Sequence, residues 1–398
     1  MRILFLTPRL PFPPNRGDRL RSFHYGRVLS KKHSLSLLSL IQSDKEMQYV
    51  EDLKGIFDNV EVVLLKPWRS YLNMVLHFFS KMTLQVSYFY SKQMNKKVKE
   101  ILKREKFDVI YTFSHCMAPY ASEVKGAYKI FDLTDAISLF LRRMVRHRNI
   151  FLRPLLYWEY LKTKRYEPYI IKKFDECWFI SPVDRDAISI PGNTSNIVLV
   201  PNGIDVDYFK PEKSKRNTNT ILFVGYMGIE SVITVLHFYK EIFPLVKKEI
   251  PSAKFYVVGA DPPKKITKLA SNENVVVTGF VEDLRLYYNE ASVLAAPMRF
   301  VAGVQNKILE AMAMEVPVVT SRLGNEGIDA NVGKEIFVED EPKAFANCVV
   351  KLLKNEDLRK QVGANARRFV QKNFTWEKVV DRLDEIYLKI SERQEDIF

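Results

Sequence analysis

The stretch Ala296–Val319, APMRFVAGVQNKILEAMAMEVPVV, decides the fold of the second half of the chain. Its pattern predicts the end of a buried strand, a loop at Gly303, a helix along the apolar run Ile308–Met314 and a further strand at Val318. Strands that alternate with helices pair in parallel through right-handed crossovers. The stretch therefore predicts an α/β fold.

The same stretch concentrates charge near one predicted helix start. We expect the helix to begin at Gly303 or Val304, where free backbone N–H groups and the positive end of the helix dipole attract an anion. Arg299 and Lys307 flank that start and add fixed charge. Glu310 stands in an apolar run, so its charge requires a partner or a polar cavity. A plain Lys307–Glu310 ion pair on an amphipathic helix is the alternative.

Short β-branched runs alternate with helical segments along the rest of the chain. In the first half, the predicted strands are Arg2–Thr7, Ser34–Leu40, Val60–Leu65, Val109–Thr112, Lys129–Leu133, Glu176–Ile180 and Ile197–Val200. In the second half, they are Thr220–Val224, Lys254–Val258, Val275–Val277, Val293–Ala296, Val318–Thr320 and Glu335–Val338. Two such sets predict two doubly wound parallel-sheet, Rossmann-like domains that face a central cleft, with function in the loops after the strands.

The length of 398 residues suits two domains. A turn at Pro201–Gly203 and a charged segment at Lys210–Thr220 interrupt the alternation. We therefore expect an N-terminal domain at residues 1–205 and a C-terminal domain at residues 206–375. A last helix, predicted at Trp376–Ile390 within residues 376–398, is expected to pack back on the first domain.

Three further loops follow predicted strands. Gly17 ends a proline-rich loop and precedes a helix, so either its backbone approaches a ligand or Asp18 simply caps that helix. His115 follows the fourth strand, where it either exchanges protons near neutrality or is a polar residue of a surface loop. Gly279, Phe280 and Val281 offer backbone groups that could cradle a nucleobase.

The net charge of +14 implies an anionic partner. About half of this excess lies in the segment Phe140–Asp175, where ten Lys and Arg residues stand against three acids. Because Tyr157, Trp158 and Tyr160 interleave with these cations, we predict that residues 140–173 lie on an anionic membrane surface. A solvated helical face with buried aromatic residues is the alternative. No zinc-finger, basic-zipper or aromatic RNA-binding pattern occurs, which argues against a nucleic-acid partner.

The cysteines and the short apolar runs are typical of a protein of the reducing cytoplasm. Cys116, Cys177 and Cys348 are far apart and in no metal-binding spacing, so we expect reduced thiols and no bound metal. No apolar run reaches the roughly 18 residues of a membrane span, and no secretory signal is recognisable. We expect a cytoplasmic protein that is peripheral on the inner face of the membrane.

These segments together resemble the retaining glycosyltransferases of the two-domain GT-B architecture, of the family 4-like kind. The resemblance covers nearly the whole chain and is greatest to a bacterial branch found in exopolysaccharide and cell-envelope loci. It is carried by Val200–Asp205, Gly225, Pro251–Lys254 before a strand that leads to Gly259, Gly279–Val281, Lys307–Ala311 and Pro317–Val319.

The resemblance implies roles for individual residues. Glu310 matches the glutamate that holds the ribose hydroxyls, and Gly303 and Val304 match the loop whose amides touch the sugar and phosphate. Gly17 matches a glycine loop near the donor phosphates, and His115 lies where some relatives carry a histidine near the sugar. The predicted catalytic residues are Arg299, Lys307 and His115, and the predicted substrate-binding residues are Gly17, Gly225, Phe280, Val281, Gly303, Val304, Asn306 and Glu310.

Two departures from the family pattern affect the expected site. Ala302 stands where many relatives carry a first glutamate, and Tyr226 stands where many carry an arginine that holds the diphosphate. Arg299 and Lys307 are the obvious replacements for the missing positive charge.

The resemblance implies transfer of a sugar from a nucleoside diphosphate sugar to a hydroxyl of a sugar or lipid-linked acceptor, without cofactor or metal. An epimerase or hydrolase of nucleotide sugars, or a non-catalytic nucleotide-sugar-binding protein, remains the alternative.

Overall fold

The computed structural model describes residues 1–14, 17–188, 196–212, 219–376, 384, 385, 388 and 391. The chain divides into a first unit, Met1–Pro201 with Val380–Phe398, and a second unit, Asn202–Val379. Much of the linker segment predicted at Lys210–Thr220 and most of the last helix predicted at Trp376–Ile390 lie outside the described residues. Within the described part of the chain, no helix has the length and apolarity to cross a membrane.

The first unit contains a seven-stranded parallel sheet in the order β3-β2-β1-β4-β5-β6-β7. Its strands are β1 (Arg2–Thr7), β2 (Ser34–Ile41), β3 (Asn59–Leu64), β4 (Val109–Phe113), β5 (Tyr128–Thr134), β6 (Glu176–Phe179) and β7 (Ile197–Leu199). The strand order reverses between β1 and β4, so the loops after these two strands flank a switch point, where doubly wound sheets bind ligands.

Helices connect the strands of the first unit. They are α1 (Gly17–Leu29), α2 (Val50–Leu53), α3 (Pro67–Leu76), α4 (Leu84–Tyr88), α5 (Lys92–Arg104), α6 (Ala118–Ala121), α7 (Ile137–Val145), α8 (Arg153–Ile171) and α9 (Pro182–Ala187), with 3-10 turns at Asp44–Tyr49 and Ile150–Leu152. The central strands β1 and β4 are buried along nearly their whole length because helices cover both faces of the sheet.

A buried ion pair fixes the first helix to this sheet. The Arg21 guanidinium on α1 donates to the Asp132 carboxylate on β5 at 2.6 Å, and Tyr111 on β4 donates to the same oxygen at 2.6 Å. Arg21 also donates to the backbone carbonyls of Val200 and Pro201. Since an isolated buried charge is very costly, these partners allow the arginine to remain in the core.

The second unit contains a six-stranded parallel sheet in the order β10-β9-β8-β11-β12-β13. Its strands are β8 (Thr220–Val224), β9 (Lys254–Val258), β10 (Val275–Gly279), β11 (Val293–Ala296), β12 (Val318–Thr320) and β13 (Phe337–Val338). Its helices are α10 (Ile229–His237), α11 (Phe243–Glu249), α12 (Lys264–Thr267), α13 (Arg285–Glu290), α14 (Asn306–Ala313), α15 (Arg322–Asn325), α16 (Pro342–Lys354) and α17 (Glu356–Asn373), with a π-helical turn at Phe238–Ile242 and a 3-10 turn at Lys268–Ser271.

The prediction of two doubly wound parallel sheets is confirmed. The predicted strands match the observed ones to within two residues at each end. In the second sheet the order reverses between β8 and β11, which places the loops after Val224 and Ala296 at the switch point of this unit.

Candidate functional site

The loop after β8 is held tightly against the loop after β9. The Gly225 N–H donates to the Val258 carbonyl at 3.0 Å, and the Gly259 N–H donates to the Gly279 carbonyl at 3.1 Å. Gly259 has φ +153°, and a Cβ there would lie 1.9 Å from the Gly225 carbonyl oxygen. Only glycine fits at position 259, because any side chain would displace the loop that leads from Gly225 into α10.

Lys307 reaches this loop from α14. A Cβ at position 225 would lie 3.3 Å from the Lys307 Nζ, so the absence of a side chain at Gly225 makes room for the lysine. The same Nζ lies 3.7 Å from the Glu230 carboxylate, in the first turn of α10, and 5.1 Å from the centre of the Phe223 ring. Lys307 therefore places its positive charge at the switch point of the second sheet.

The acid partner of Lys307 differs from the sequence-based alternative. That alternative paired Lys307 with Glu310, whereas the ion pair within the described residues joins Lys307 to Glu230. Burial raises the pKa of Glu230, and the positive charge of Lys307 opposes this rise. The sequence did not single out Glu230, because it lies far from Lys307 along the chain and only the sheet order brings them together.

Glu310 has a different partner, the hydroxyl of Tyr288 on α13. Tyr288 is fully buried and donates to Glu310 Oε2 at 2.8 Å. Burial raises the pKa of Glu310, while this hydrogen bond and the nearby Lys307 charge oppose the rise. Burial and the Glu310 charge together hold the pKa of Tyr288 well above its ordinary value. Tyr288 therefore fixes the Glu310 carboxylate in place, and sequence reasoning missed this residue.

The glycine loop before α14 is longer than the sequence predicts. The helix begins at Asn306 rather than at Gly303 or Val304, so the predicted start is wrong by two to three residues. Gly303 adopts φ +67°, and Gln305 has an extended backbone, neither of which continues a helix. Val304 is buried, and the Gln305 side-chain amide donates to the Ala302 carbonyl at 3.1 Å, which closes the loop on itself.

A second glycine contact supports this loop from the turn after α15. A Cβ at position 327 would lie 2.7 Å from the Gly303 carbonyl oxygen, so Gly327 allows the two backbones to approach. On the other side, the Asn202 side-chain amide donates to Asn306 Oδ1 at 3.2 Å. These contacts fix the start of α14, and with it the direction in which Lys307 and Glu310 leave the helix.

Arg299, Phe280 and Val281 lie at the exposed rim of the same sheet edge. Arg299 is exposed and makes no hydrogen bond or ion pair with any of the described residues. Phe280 is 63% exposed, and Val281 is half-buried. Arg299 therefore has a full positive charge available to an anion, in contrast to Lys307.

The remaining two candidates belong to the first unit. Gly17 is the exposed first residue of α1, and the preceding residues 15 and 16 lie outside the described residues. His115 is 1% exposed, with its Nε2 3.4 Å from the Thr83 hydroxyl and its ring 6.2 Å from that of Tyr166. Burial lowers the pKa of His115 to about 4. This differs from both sequence-based expectations, because a neutral, buried imidazole neither titrates near neutrality nor lies in a surface loop.

The second unit therefore brings together Gly225, Lys307, Glu310, Gly303 and Asn306 around the switch point of its sheet. Half-buried carboxylates, a lysine and tight glycine loops in such a place suit a ligand with both hydroxyl groups and negative charge. Within the part of the chain that the structure describes, no group of three or more His, Cys, Asp or Glu residues has the arrangement to hold a metal ion.

Part of the chain that carries this site matches a known protein family. Residues 218–355 match the family described as "Glycosyl transferases group 1". A Klebsiella pneumoniae protein described as an uncharacterized 44.6 kDa protein in the cps region is 25% identical over 95% of this chain and 97% of its own. The capsular polysaccharide biosynthesis glycosyltransferase CapM of Staphylococcus aureus is 29% identical over 47% of this chain and 52% of its own.

Among solved structures, Anabaena HepE in complex with UDP and glucose superposes with a TM-score of 0.71 at 16% identity, over 97% of this chain and 99% of that one. At this identity the likeness shows the fold. It agrees with the two parallel sheets described above. The chain therefore has the GT-B fold, and its residues 218–355 match the group 1 glycosyltransferase family.

Proposed function

We propose that the chain transfers a sugar from a nucleoside diphosphate sugar to an acceptor hydroxyl, with retention of configuration, in the synthesis of a polysaccharide or glycolipid. The observation that carries this proposal is the Glu310 carboxylate, held by Tyr288 beside Lys307 at the switch point of the second sheet. The HepE structure contains UDP and glucose, and the name of CapM assigns it to capsular polysaccharide biosynthesis, which supports both the donor class and the pathway class.

In this proposal Glu310 binds the ribose of the donor. Its Oε2 accepts from Tyr288, so Oε1 is the oxygen that accepts from a ribose hydroxyl. The exposed Phe280 and the neighbouring Val281 backbone lie on the same sheet edge and hold the base. A carboxylate that is already fixed before the donor arrives loses little conformational entropy on binding.

The diphosphate is the leaving group, and its charge must be stabilised as the glycosidic bond breaks. Arg299 is an exposed cation that makes no ion pair with a described residue, Lys307 is a second positive charge, and the Gly303 and Val304 amides are additional donors. The bond between the sugar C1 and the phosphate oxygen breaks with its electron pair leaving on the diphosphate. The acceptor oxygen forms the new bond to C1 on the same face and gives its proton to the departing phosphate oxygen.

We further propose that turnover needs no divalent metal ion, because Arg299, Lys307 and loop amides supply the positive charge that the diphosphate requires. The measurement is turnover of the protein before and after dialysis against EDTA, with Mg²⁺ and Mn²⁺ added back separately. Equal rates support the proposal. A loss that one of these ions restores contradicts it.

We propose that the acceptor is a sugar or a lipid-linked sugar, and that the segment of residues 140–173 holds the enzyme on the anionic, cytoplasmic face of a membrane. The basic residues of this segment support the anionic surface, and the name of CapM, which assigns it to capsular polysaccharide biosynthesis, supports the acceptor class. Nucleic acid is not proposed as a partner.

The test of the donor site begins with thermal shifts in a panel of uridine and guanosine diphosphates and their sugars. A ligand at a hundred times its dissociation constant stabilises a protein by roughly 2.7 kcal/mol, which such a panel detects. Glu310→Ala should lose most of this shift, whereas Glu290→Ala, which alters an exposed carboxylate on α13, should keep it.

Incubation of the selected donor with and without acceptor separates the reactions. Sugar transfer requires acceptor, whereas hydrolysis or epimerisation consumes donor without it. The anomeric configuration of the product, read by NMR, tests retention. Unchanged nucleotide affinity in Glu310→Ala would contradict the assignment of the ribose site.

A further inference from the structure

Large apolar side chains are exposed on two segments of the first unit. One segment, residues 67–79, comprises α3 and the turn after it, and the other, residues 150–158, comprises the 3-10 turn and the first part of α8. Phe79 is 89% exposed and Phe151 is 87% exposed, and Trp68, Val75, Ile150 and Trp158 are exposed as well. Clusters of this kind on a folded surface mark a place of interaction with a protein or a membrane.

The two segments are neighbours in the structure. The Lys162 ammonium on α8 donates to the Phe78 carbonyl, next to Phe79, at 3.1 Å. One turn earlier on α8, the Glu159 carboxylate accepts from the Leu84 N–H at 2.6 Å, at the start of α4. α8 therefore runs beside the turn after α3 and the start of α4, and we call the exposed residues of both segments together the apolar surface (residues 67–79 and 150–158).

Positive charge surrounds this apolar surface. Lys66, Arg69 and Lys81 are exposed on the first segment and its flanks, and Arg142, Arg146 and Arg153 are exposed on or beside the second. No ion pair within the described residues includes any of these six side chains, so their charges remain uncompensated.

The acids of the same region point inward. Glu159 is 6% exposed and Glu167 is 1% exposed, and both accept backbone N–H groups, from Leu84 and Ser138 respectively. Two of the three acids counted between Phe140 and Asp175 are thus removed from the surface. The outer face is more basic than the sequence alone indicates.

We infer that residues 67–79 and 150–158 form one membrane-docking surface that inserts its apolar side chains into an anionic lipid bilayer. This rests on the membrane partner proposed above and extends it, because the sequence indicated only residues 140–173. The basic rim selects the anionic bilayer: apolar side chains enter the interface while Lys and Arg remain at the headgroups. A second copy of this chain would bring the same uncompensated cations together, which opposes self-association through this face.

The four tryptophans provide a direct test. Trp68 and Trp158 lie one on each segment and are exposed, whereas Trp178 and Trp376 are buried. Trp158→Phe and Trp68→Phe variants each leave one exposed tryptophan, so quenching by brominated acyl chains reports each segment separately. We expect both variants to be quenched in vesicles with an equimolar mixture of phosphatidylcholine and phosphatidylglycerol. If only the variant that retains Trp158 is quenched, residues 67–79 do not insert into the membrane.

Affinity for the same vesicles, measured by flotation, tests the two kinds of side chain. Phe79→Ser and Phe151→Ser should each weaken binding about tenfold, whereas Val332→Ser, an exposed apolar residue of the second unit, should have no effect. Replacement of Arg142, Arg146 and Arg153 by Gln should cost about fivefold per residue at low salt. The control replaces Lys264, Lys265 and Lys268, exposed lysines of the second unit, by Gln.

Several outcomes would overturn the inference. Equal binding to neutral phosphatidylcholine vesicles would contradict the role of the basic side chains. Equal effects of the variants and their controls would show that the apolar surface does not bind the membrane. Lipid-independent self-association that Phe79→Ser abolishes would assign the face to a second copy. Because vesicle binding needs no turnover, Glu310→Ala should bind vesicles as the wild type does, which separates a failure here from a failure of the proposed reaction.

Discussion

Replacement of Tyr288 by Phe removes one hydroxyl from the proposed donor site and leaves the buried ring in place. That hydroxyl donates to Glu310 Oε2 at 2.8 Å. A hydrogen bond to a charged group contributes about 1.5–3 kcal/mol, so an unsupported Glu310 should bind the ribose roughly ten- to a hundredfold more weakly. The effect should appear in the dissociation constant of the nucleoside diphosphate and in KM for the donor.

The pH dependence gives the prediction a second readout. Burial raises the pKa of Glu310, and the Tyr288 hydrogen bond opposes this rise. Without the hydroxyl, the pKa of Glu310 should increase further, so a larger fraction of the carboxyl is protonated at a given acidic pH. The decline of diphosphate affinity on the acid side should therefore move to higher pH in Tyr288→Phe than in the wild type.

Isothermal titration calorimetry with the diphosphate, repeated across pH, is the assay. Tyr287→Phe is the matched control, because Tyr287 lies on the same helix but makes no hydrogen bond to Glu310 among the described contacts. A thermal melt without ligand shows whether the fold is intact. If Tyr288→Phe keeps wild-type affinity at every pH, or if Tyr287→Phe loses as much, Tyr288 does not position Glu310.

Two further predictions concern charge. Arg299→Ala and Lys307→Ala should each lower kcat/KM about ten- to a hundredfold and weaken binding of the nucleoside diphosphate more than binding of the monophosphate. Only Lys307→Ala should also lower thermal stability, since it leaves Glu230 without its cation. Wild-type diphosphate affinity in both variants would place the phosphates elsewhere. Burial raises the pKa of Glu159 from 4.5 to about 7. Between these pH values the carboxyl is ionised in the unfolded chain but still protonated in the folded one. The free energy of unfolding should therefore fall by about 3 kcal/mol as pH rises from 4.5 to 7. Urea denaturation should show this slope flattened in Glu159→Gln but retained in Glu273→Gln, an exposed control; a slope unaltered in Glu159→Gln would contradict the assignment.

The strands of both sheets were predictable because each is a short apolar run bounded by turn residues. Thr220–Val224, Lys254–Val258 and Val293–Ala296 coincide with the observed β8, β9 and β11. A strand buried on both faces must be apolar along its whole length, so its sequence carries the signal without reference to any other segment. The need of Glu310 for a partner was predictable for a related reason, because a charge within an apolar helix must be paired or hydrogen-bonded.

The partners themselves could not be predicted. Tyr288 meets Glu310, and Glu230 meets Lys307, through the order of strands in the sheet, which places distant segments side by side. The start of α14 was predicted too early because the positive φ of Gly303 is a property of the folded loop rather than of local composition. His115 was expected either to exchange protons near neutrality or to be a polar residue of a surface loop, whereas Thr83 and Tyr166 pack around the ring and bury it.

The backbone contact between Gly225 and Gly259 has a consequence for attempts to change donor preference by directed evolution. Because a Cβ at position 259 would lie 1.9 Å from the Gly225 carbonyl oxygen, randomising position 259 would mostly produce chains in which these two loops cannot pack together. Phe280 and Arg299 are better positions to randomise, because their side chains are exposed at the same sheet edge and are not needed to close the loops. Close backbone packing makes one part of this site rigid, whereas its exposed side chains can be replaced without disturbing that packing.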